Sequence, residues 1–431
     1  MSYYPKKRVV ITGLGPVASV GVGKDSFWRG ILDKNLGIEL TEVFLFDELW
    51  EKFYLHKVQN FDIKNYGINE NDLEYIHNWK EKEDNQDLLF LLVAAKLALD
   101  DSQINYRSKK NNLALVATHE NPCLEQLLWK AFRCSFQLLK KNIGLSELEF
   151  CNELYRKIIK IGYESQSFMS LFHLARTFNV HNYSLFINNA CSSGLYALEA
   201  ARDLISLGKA EKVIVVAGDC PDVFKYLWFK MISMYEEDGK IKPFDKNARG
   251  FVMGEGAAAL VLEDYESAKR RGIHIYAEYL GGGFALEGWG ITTPMIGGAF
   301  YQESIENAIN DSGVIKEEID LICAHGAGTI VNDYYEAKAI KDTFQQLRVP
   351  VTAFKPFIGH NLGGSALLEL IILLLSLEKN LLLPILNTRE IDNRIDLNII
   401  REEHQFNLRT VLKICSAFAG YNACSILRKL D

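Results

Sequence analysis

Along this chain, short apolar runs alternate with longer stretches in which apolar residues recur every three or four positions. The short runs predict strands at Arg8–Gly13, Leu113–Thr118, Tyr183–Asn188, Lys212–Gly218 and Ala257–Leu262. A second series follows at Ile275–Leu280, Leu321–Ala324, Val351–Ala353, Thr410–Cys415 and Cys424–Arg428. Helical spacing falls at Asp87–Ser102, Ser193–Ser206, Tyr301–Asp311, Tyr334–Phe344 and Gly364–Leu377. Such alternation predicts an α/β protein with parallel layers. The longest apolar run, Ala366–Leu377, is too short to span a bilayer and contains Glu369, so it predicts a buried helix.

The two series echo each other. Each opens on a strand that runs into glycine, Val9-Val-Ile-Thr-Gly-Leu-Gly and Tyr276-Ala-Glu-Tyr-Leu-Gly-Gly-Gly, and each then has a helix and a strand delivering a polar residue. This pattern predicts an internal duplication, residues 1–265 forming one half and 266–431 the other. Glu120–Gln166 departs from it: long, helical and amphipathic, it reads as an inserted helical layer or an oligomer contact.

Composition narrows the class. The 431 residues are 48% hydrophobic, enough for two domains or one doubled one, and 24% charged with 9 prolines, which argues against disorder. A net charge of −7 gives no global basic face, and no nucleic-acid partner is expected. The N-terminus, polar and basic to Arg8 and then broken by Gly13 and Gly15, is not a signal peptide. Eight cysteines at irregular spacing, without a CxxC, predict free thiols and a cytoplasmic protein with no membrane segment.

One thiol stands apart. A buried structural role is the usual fate of a cytosolic cysteine, but Cys191 lies between the strand Ser184-Leu-Phe-Ile-Asn-Asn and the helix that opens at Ser193. The positive end of a helix lowers a thiol's pKa and makes the thiolate available, and small neighbours at Ala190, Ser192, Ser193 and Gly194 admit a substrate. His325 ends a strand before glycines, and His360 ends Phe354-Lys-Pro-Phe-Ile-Gly-His before a glycine-rich helix start, so the two predict one shared crevice. Lys355 shares the His360 loop, with Glu336 and Asp333 as candidate partners. Cys191, His325 and His360 also suit zinc by ligand type, but no short-spaced ligand pair accompanies them, and no metal is expected. The glycine loops at 13–15, 281–283 and 359–364 complete no phosphate motif and read as turns and close packing. Phe418-Ala-Gly-Tyr-Asn follows a strand and is positioned to bring backbone N–H groups near Cys191.

These segments resemble the elongating β-ketoacyl-acyl-carrier-protein synthases of the thiolase-like superfamily. The resemblance rests on Asn189-Ala-Cys-Ser-Ser-Gly, Pro243-Phe-Asp-Lys-Asn-Ala-Arg-Gly-Phe-Val-Met-Gly-Glu-Gly, Ala324-His-Gly-Ala-Gly-Thr and Lys355-Pro-Phe-Ile-Gly-His, and covers nearly the whole chain. It implies a five-layered α-β-α-β-α fold of two duplicated halves. It implies that Cys191 is acylated, that His325 and His360 promote decarboxylation of a malonyl carrier protein, and that Lys355 supports them with Glu336 as partner. By the same resemblance Cys191 and Phe418 supply an oxyanion hole, Phe418 gates the two half-reactions and Thr329 contacts the pantetheine arm. No resident cofactor is implied, because substrates ride on the phosphopantetheine of an acyl carrier protein.

Within the family, His325-Gly-Ala-Gly-Thr and Tyr421 are most similar to the ketosynthase-α subunits of type II polyketide synthases. That resemblance implies a heterodimer with a chain-length-factor homologue, otherwise a homodimer. A non-catalytic partner subunit is the alternative, and the intact Cys191, His325, His360 and Lys355 argue against it. Thiolases and initiating synthases use other residue sets, and Lys355 five residues before His360 argues against both. Three alanines depart from the family: Ala327 replaces a hydroxyl residue, and Ala417 and Ala419 replace glycines of the gate loop. The stretch Asn69–Asp87, basic in fatty-acid enzymes, is net acidic here, so the expected carrier docking face moves to Leu124–Lys141, with Lys130 and Arg133 on one helix face.

Overall fold

The computed structural model describes residues 7–45, 48–79, 86–108, 112–120, 124–140, 144–219 and 221–430. Among them, the spine is one sheet of twelve strands. Eleven are β1 (Val9–Ala18), β2 (Leu113–His119), β3 (Ser184–Phe186), β4 (Lys212–Asp219), β5 (Gly256–Asp264), β6 (Ala277–Leu286), β7 (Leu321–Cys323), β8 (Pro350–Thr352), β9 (Asn398–Ile399), β10 (Thr410–Ser416) and β11 (Tyr421–Arg428). Gly21–Val22 is the twelfth and pairs with β1. The order is β9-β8-β7-β10-β11-β6-β1-β5-β4-β2-β3. The sheet has a seam: β1 pairs with β5 along its length but with β6 at only Val9, Val10 and Ile11. On each side of the seam the outer strands are parallel, β2 with β3 and β4, and β7 with β8 and β10.

Eight helices matter to the site: α1 (Gln86–Asp101), α2 (Leu124–Lys140), α3 (Glu147–Glu164), α4 (Ser193–Ser206), α5 (Val223–Met231), α6 (Ala299–Ser312), α7 (Ile330–Phe344) and α8 (Leu362–Lys379). α4 and α8 fill the space between the half-sheets, in a cluster that takes side chains from both. α8 is buried from Leu362 to Leu377 on every face, as expected of a helix apolar all round. α1 covers the outer face of the first half-sheet, and α6 with α7 that of the second. The result is five layers, α-β-α-β-α, as the family resemblance implies. The stretch 120–166 supplies α2 and α3; α3 starts at a capping box in which Ser146 and Glu149 satisfy each other's backbone.

The glycines of the two echoed segments correct one expectation. They are not turns ending strands at Gly13 and Leu280; β1 runs on to Ala18 and β6 to Leu286. The glycines lie inside the strands because helices press on them. A Cβ on Gly15 would lie 2.0 Å from Ala94 O of α1, and one on Gly283 would lie 2.1 Å from Ser304 O of α6. The close-packing part of the expectation is what the structure shows, and it recurs on both sides of the seam. β3 is shorter than expected because it pairs only with β2, and residues after Phe186 leave the ladder to form the site.

Gly15→Ala is therefore expected to destabilise the protein by about 3 kcal/mol, the upper range for overpacking a tight contact. Denaturant unfolding of the two proteins checks this; an unchanged midpoint would mean that α1 moves aside freely.

Candidate active site

β2, β3 and β4 are parallel neighbours, so their C-terminal ends share one edge of the sheet. Cys191 hangs from that edge. Ile187 N–H still reaches Ala117 O of β2 at 3.0 Å, and the chain then turns through Ala190 at φ 48° into α4. A left-handed alanine costs about 1 kcal/mol. Ser193 holds the turn, its hydroxyl accepting from Asn189 N–H at 2.8 Å and donating to Ala190 O at 2.6 Å. Ser192 Oγ donates to Tyr421 O at 2.8 Å and ties the turn to the second half.

Cys191 does sit two residues before α4, but its thiol is not the low-pKa group expected. Burial pushes its pKa well above the ordinary thiol value, and the nearby Glu120 carboxylate and Cys415 push the same way against the pull of Lys355. A helix terminus contributes at most about 2 kcal/mol, and desolvation of a thiolate outweighs it here.

His325 follows β7 in a turn held from both sides. Glu336 of α7 accepts from the N–H groups of His325 at 2.5 Å and Gly326 at 3.0 Å. Asp333, one turn earlier, accepts from Gly328 N–H at 3.2 Å and Phe244 N–H at 2.8 Å. On the carbonyl side, Lys355 Nζ donates to His325 O at 2.6 Å, and Lys413 Nζ of β10 donates to Ala324 O at 3.1 Å. Glu336 is thus spent on backbone amides, which corrects the expected Lys355–Glu336 pair. The partner of Lys355 is Glu369 of α8, whose Oε1 lies 3.0 Å from Lys355 Nζ and whose Oε2 lies 2.6 Å from Lys413 Nζ. All three side chains are fully buried. Glu369 and Lys413 went unassigned in the sequence, although each left a signal: a carboxylate inside an apolar helix, and a lysine inside an apolar strand.

His325 Nδ1 receives Ser416 N–H at 3.3 Å and faces Lys355 Nζ at 3.3 Å, so it is the acceptor nitrogen and the ring proton sits on Nε2. His360 follows Gly359, at φ 74°, and its backbone is pinned by Val252 O and Gly254 N–H at 2.8 and 3.1 Å. Its Nδ1 meets Ser365 Oγ at 2.9 Å. The two imidazoles stand nearly perpendicular, 5.6 Å between centroids. Burial, and then the charge of Lys355, holds both far below the ordinary histidine pKa, so both rings are neutral.

Cys191, His325, His360, Thr329, Ala327 and Phe418 line one cavity of about 320 Å³. Lys355, Glu369, Glu336 and Asp333 lie behind its wall. Phe418 leans on Phe229 of α5, 6.1 Å between centroids. Its loop is strained at Ala419, φ 60°, where a glycine would be free. Three amides of that loop have backbone acceptors: Ala417 bonds Tyr421 O and Gly420 bonds Ala417 O within the loop, and Ala419 bonds Ile291 O outside it. Among the described residues, the N–H groups of Phe418 and Cys191 have no such acceptor. No group of three or more His, Cys, Asp or Glu among those residues is arranged to hold a metal ion.

Comparison with known proteins places the chain in a family. Residues 6–268 match the beta-ketoacyl synthase N-terminal domain, and 276–389 the corresponding C-terminal domain. The chain belongs to the beta-ketoacyl synthase family. It is 27% identical to the chloroplastic 3-oxoacyl-[acyl-carrier-protein] synthase I of Arabidopsis thaliana, over 97% of this chain and 86% of that one. It is 34% identical to the ketoacyl synthase alpha subunit of the tetracenomycin polyketide synthase of Streptomyces glaucescens, over 56% of this chain and 59% of that one. Among solved structures, the ishigamide ketosynthase/chain length factor superposes with a TM-score of 0.83 at 25% identity, covering 99% of this chain and 100% of that one. A ketosynthase bound to the hexaketide, in complex with a type II acyl-carrier protein, superposes with a TM-score of 0.81, also at 25% identity, over 99% and 100%.

The raised thiol pKa has a direct readout. The rate of Cys191 alkylation by iodoacetamide, followed by peptide mass spectrometry, is expected to keep rising beyond pH 9. A plateau below pH 7 would mean that α4 dominates after all.

Proposed function

We propose that this chain condenses an acyl group held on Cys191 with a malonyl group on an acyl carrier protein, in type II polyketide or fatty-acid biosynthesis. The observation that carries the reading is the pair of neutral imidazoles sharing one cavity with Cys191. The thiol first attacks a carrier thioester: a new S–C bond forms, and the carrier thiol leaves with the proton. The malonyl thioester then loses CO2, and its carbonyl oxygen becomes an enolate that accepts hydrogen bonds from His325 Nε2–H and from His360. Neutral donors suit this step, because the charge to be stabilised appears only during reaction. The enolate carbon attacks the acyl carbon on Cys191, and the resulting oxyanion takes the free N–H groups of Cys191 and Phe418. Collapse expels the Cys191 thiolate, which takes a proton from solvent, and the product is a β-ketoacyl thioester on the carrier.

In this reading Thr329 contacts the pantetheine arm, Lys355 with Glu369 sets the field at His325, and Phe418 gates the cavity. No resident cofactor is needed. A catalytic free thiol suits a reducing compartment, and the reading takes the cytoplasm as its site; no helix among the described residues is long and apolar enough to cross a membrane. The ketosynthase/chain length factor and carrier-bound ketosynthase structures support two partners: a Cys-less homologue as the second subunit, and an acyl carrier protein.

Intact-mass measurement with acyl carrier protein tests the chemistry. Cys191→Ala is expected to take no acyl group, while His325→Ala and His360→Ala still acylate and lose condensation by at least a hundredfold. An acylated Cys191→Ala protein would sink the assignment.

Carrier docking is expected on α2. Trp129 and Phe132 of α2 pack on Phe224 of α5, 5.9 and 6.4 Å between centroids, and the far end of α5 lines the cavity. Lys130 and Arg133 are on this helix; Lys141 lies outside the described residues, as does part of Asn69–Asp87. Reversing Lys130 and Arg133 to Glu should slow acylation from the acidic carrier about tenfold and spare acylation from a small thioester. Equal loss with both donors would mean damage to the fold or the site, and α2 would be dropped as the docking face.

A further inference from the structure

Lys413 has no part in the chemistry set out above, yet it is fully buried behind His325. Its ammonium spans Ala324 O at 3.1 Å and Glu369 Oε2 at 2.6 Å. Lys355 takes the other oxygen of the same carboxylate at 3.0 Å, and from there reaches His325 O at 2.6 Å and His325 Nδ1 at 3.3 Å. Two lysines thus share one carboxylate, and the triple carries a net charge of +1. With a single lysine the pair would be neutral, and Glu369 would draw the field of Lys355 towards itself.

We infer that Lys413 is a positioning residue for the reaction at Cys191: by occupying Glu369 Oε2 it leaves the charge of Lys355 uncompensated and aimed at His325 Nδ1, which holds the His325 proton on Nε2, facing the cavity. The inference rests on the condensation reading for its purpose, though not for its electrostatics. Other ionisable groups near His325 include Cys191, in the same cavity, and Asp333 of α7, bound to the Gly328 and Phe244 amides. Glu336 of α7 is bound to the His325 and Gly326 amides. Cys415 of β10 lies 3.6 Å from Nδ1. His360 is neutral, and its ring stands edge-on to His325. The charge of Lys413 acts on both histidines in the same direction as that of Lys355.

Lys413→Met, similar in length and uncharged, tests this. Removing one buried charge at this range shifts a titration by about one pH unit. The acid limb of the condensation profile is therefore expected about one unit higher, with acylation of Cys191 unaltered. Adding Glu369→Gln restores the net charge of +1 with Lys355 alone, and the limb should return to its original position. Loss of packing alone would not reverse in this way. Ring titration of His325 and His360 by NMR, without substrate, should show the same rise and the same reversal. Failure of the condensation reading would therefore remain distinguishable from failure of this one. If Lys413→Met does not fold, the double variant carries the test. Coincident profiles or ring titrations for wild type and Lys413→Met, or a double variant whose acid limb and rings titrate away from the wild-type positions, would overturn the role of Lys413.

Discussion

The site depends on one carboxylate placed where a carboxylate is costly. Glu369 lies in the middle of α8, fully buried among leucines and isoleucines. An unpaired charge there would cost several kcal/mol. Two ammonium groups, from the Lys355 turn and from β10, meet its two oxygens. The excess positive charge is in turn taken up by the carbonyls of Ala324 and His325, while Glu336 binds the amides of His325 and Gly326. The His325 turn is thus held between cations on its carbonyl side and an anion on its amide side. This fixes both the direction of the ring and the nitrogen that carries its proton.

Such a cluster persists because α8 can sustain it. Each fully buried Leu or Ile stabilises by about 1.5–3 kcal/mol, and α8 buries a run of them between the half-sheets. That exceeds the residual cost of one well-paired ion triple. The same helix begins beside His360, and its Ser365 orients that ring. Packing and electrostatics are therefore not separable here. The element that closes the core between the two halves also sets the charge behind one histidine and the hydrogen bond on the other.

The two segments that bring Cys191 and Phe418 to the cavity are strained, with alanines in left-handed conformations at Ala190 and Ala419. Each strained turn is anchored to its surroundings, Ala190 through Ser193 and Ala419 through Ile291. Neither the Phe418 loop nor the Cys191 turn is a free hinge. The burial that rigidifies the Cys191 turn also holds its thiol protonated, against the pull of α4.

The main strands and helices of both halves were legible in the chain because their apolar periods are local; Cys191, His325 and His360 were legible because each follows or opens an element near glycine, and Lys355 because it shares the His360 loop. A family resemblance linked them, and the cavity unites Cys191 with both histidines. Local pattern could not show that glycines 13, 15 and 283 lie within strands, since what forbids a side chain there is a distant helix, α1 for the first two and α6 for the third. Nor could it choose the partner of Lys355. Glu336 belonged to the His325 motif, but its carboxylate is taken by two backbone amides, and the carboxylate that reaches Lys355 lies inside an apolar helix. That choice, the role of Lys413 and the protonated thiol all follow from desolvation and from charges on distant segments, which exist only once the two halves have closed around α4 and α8.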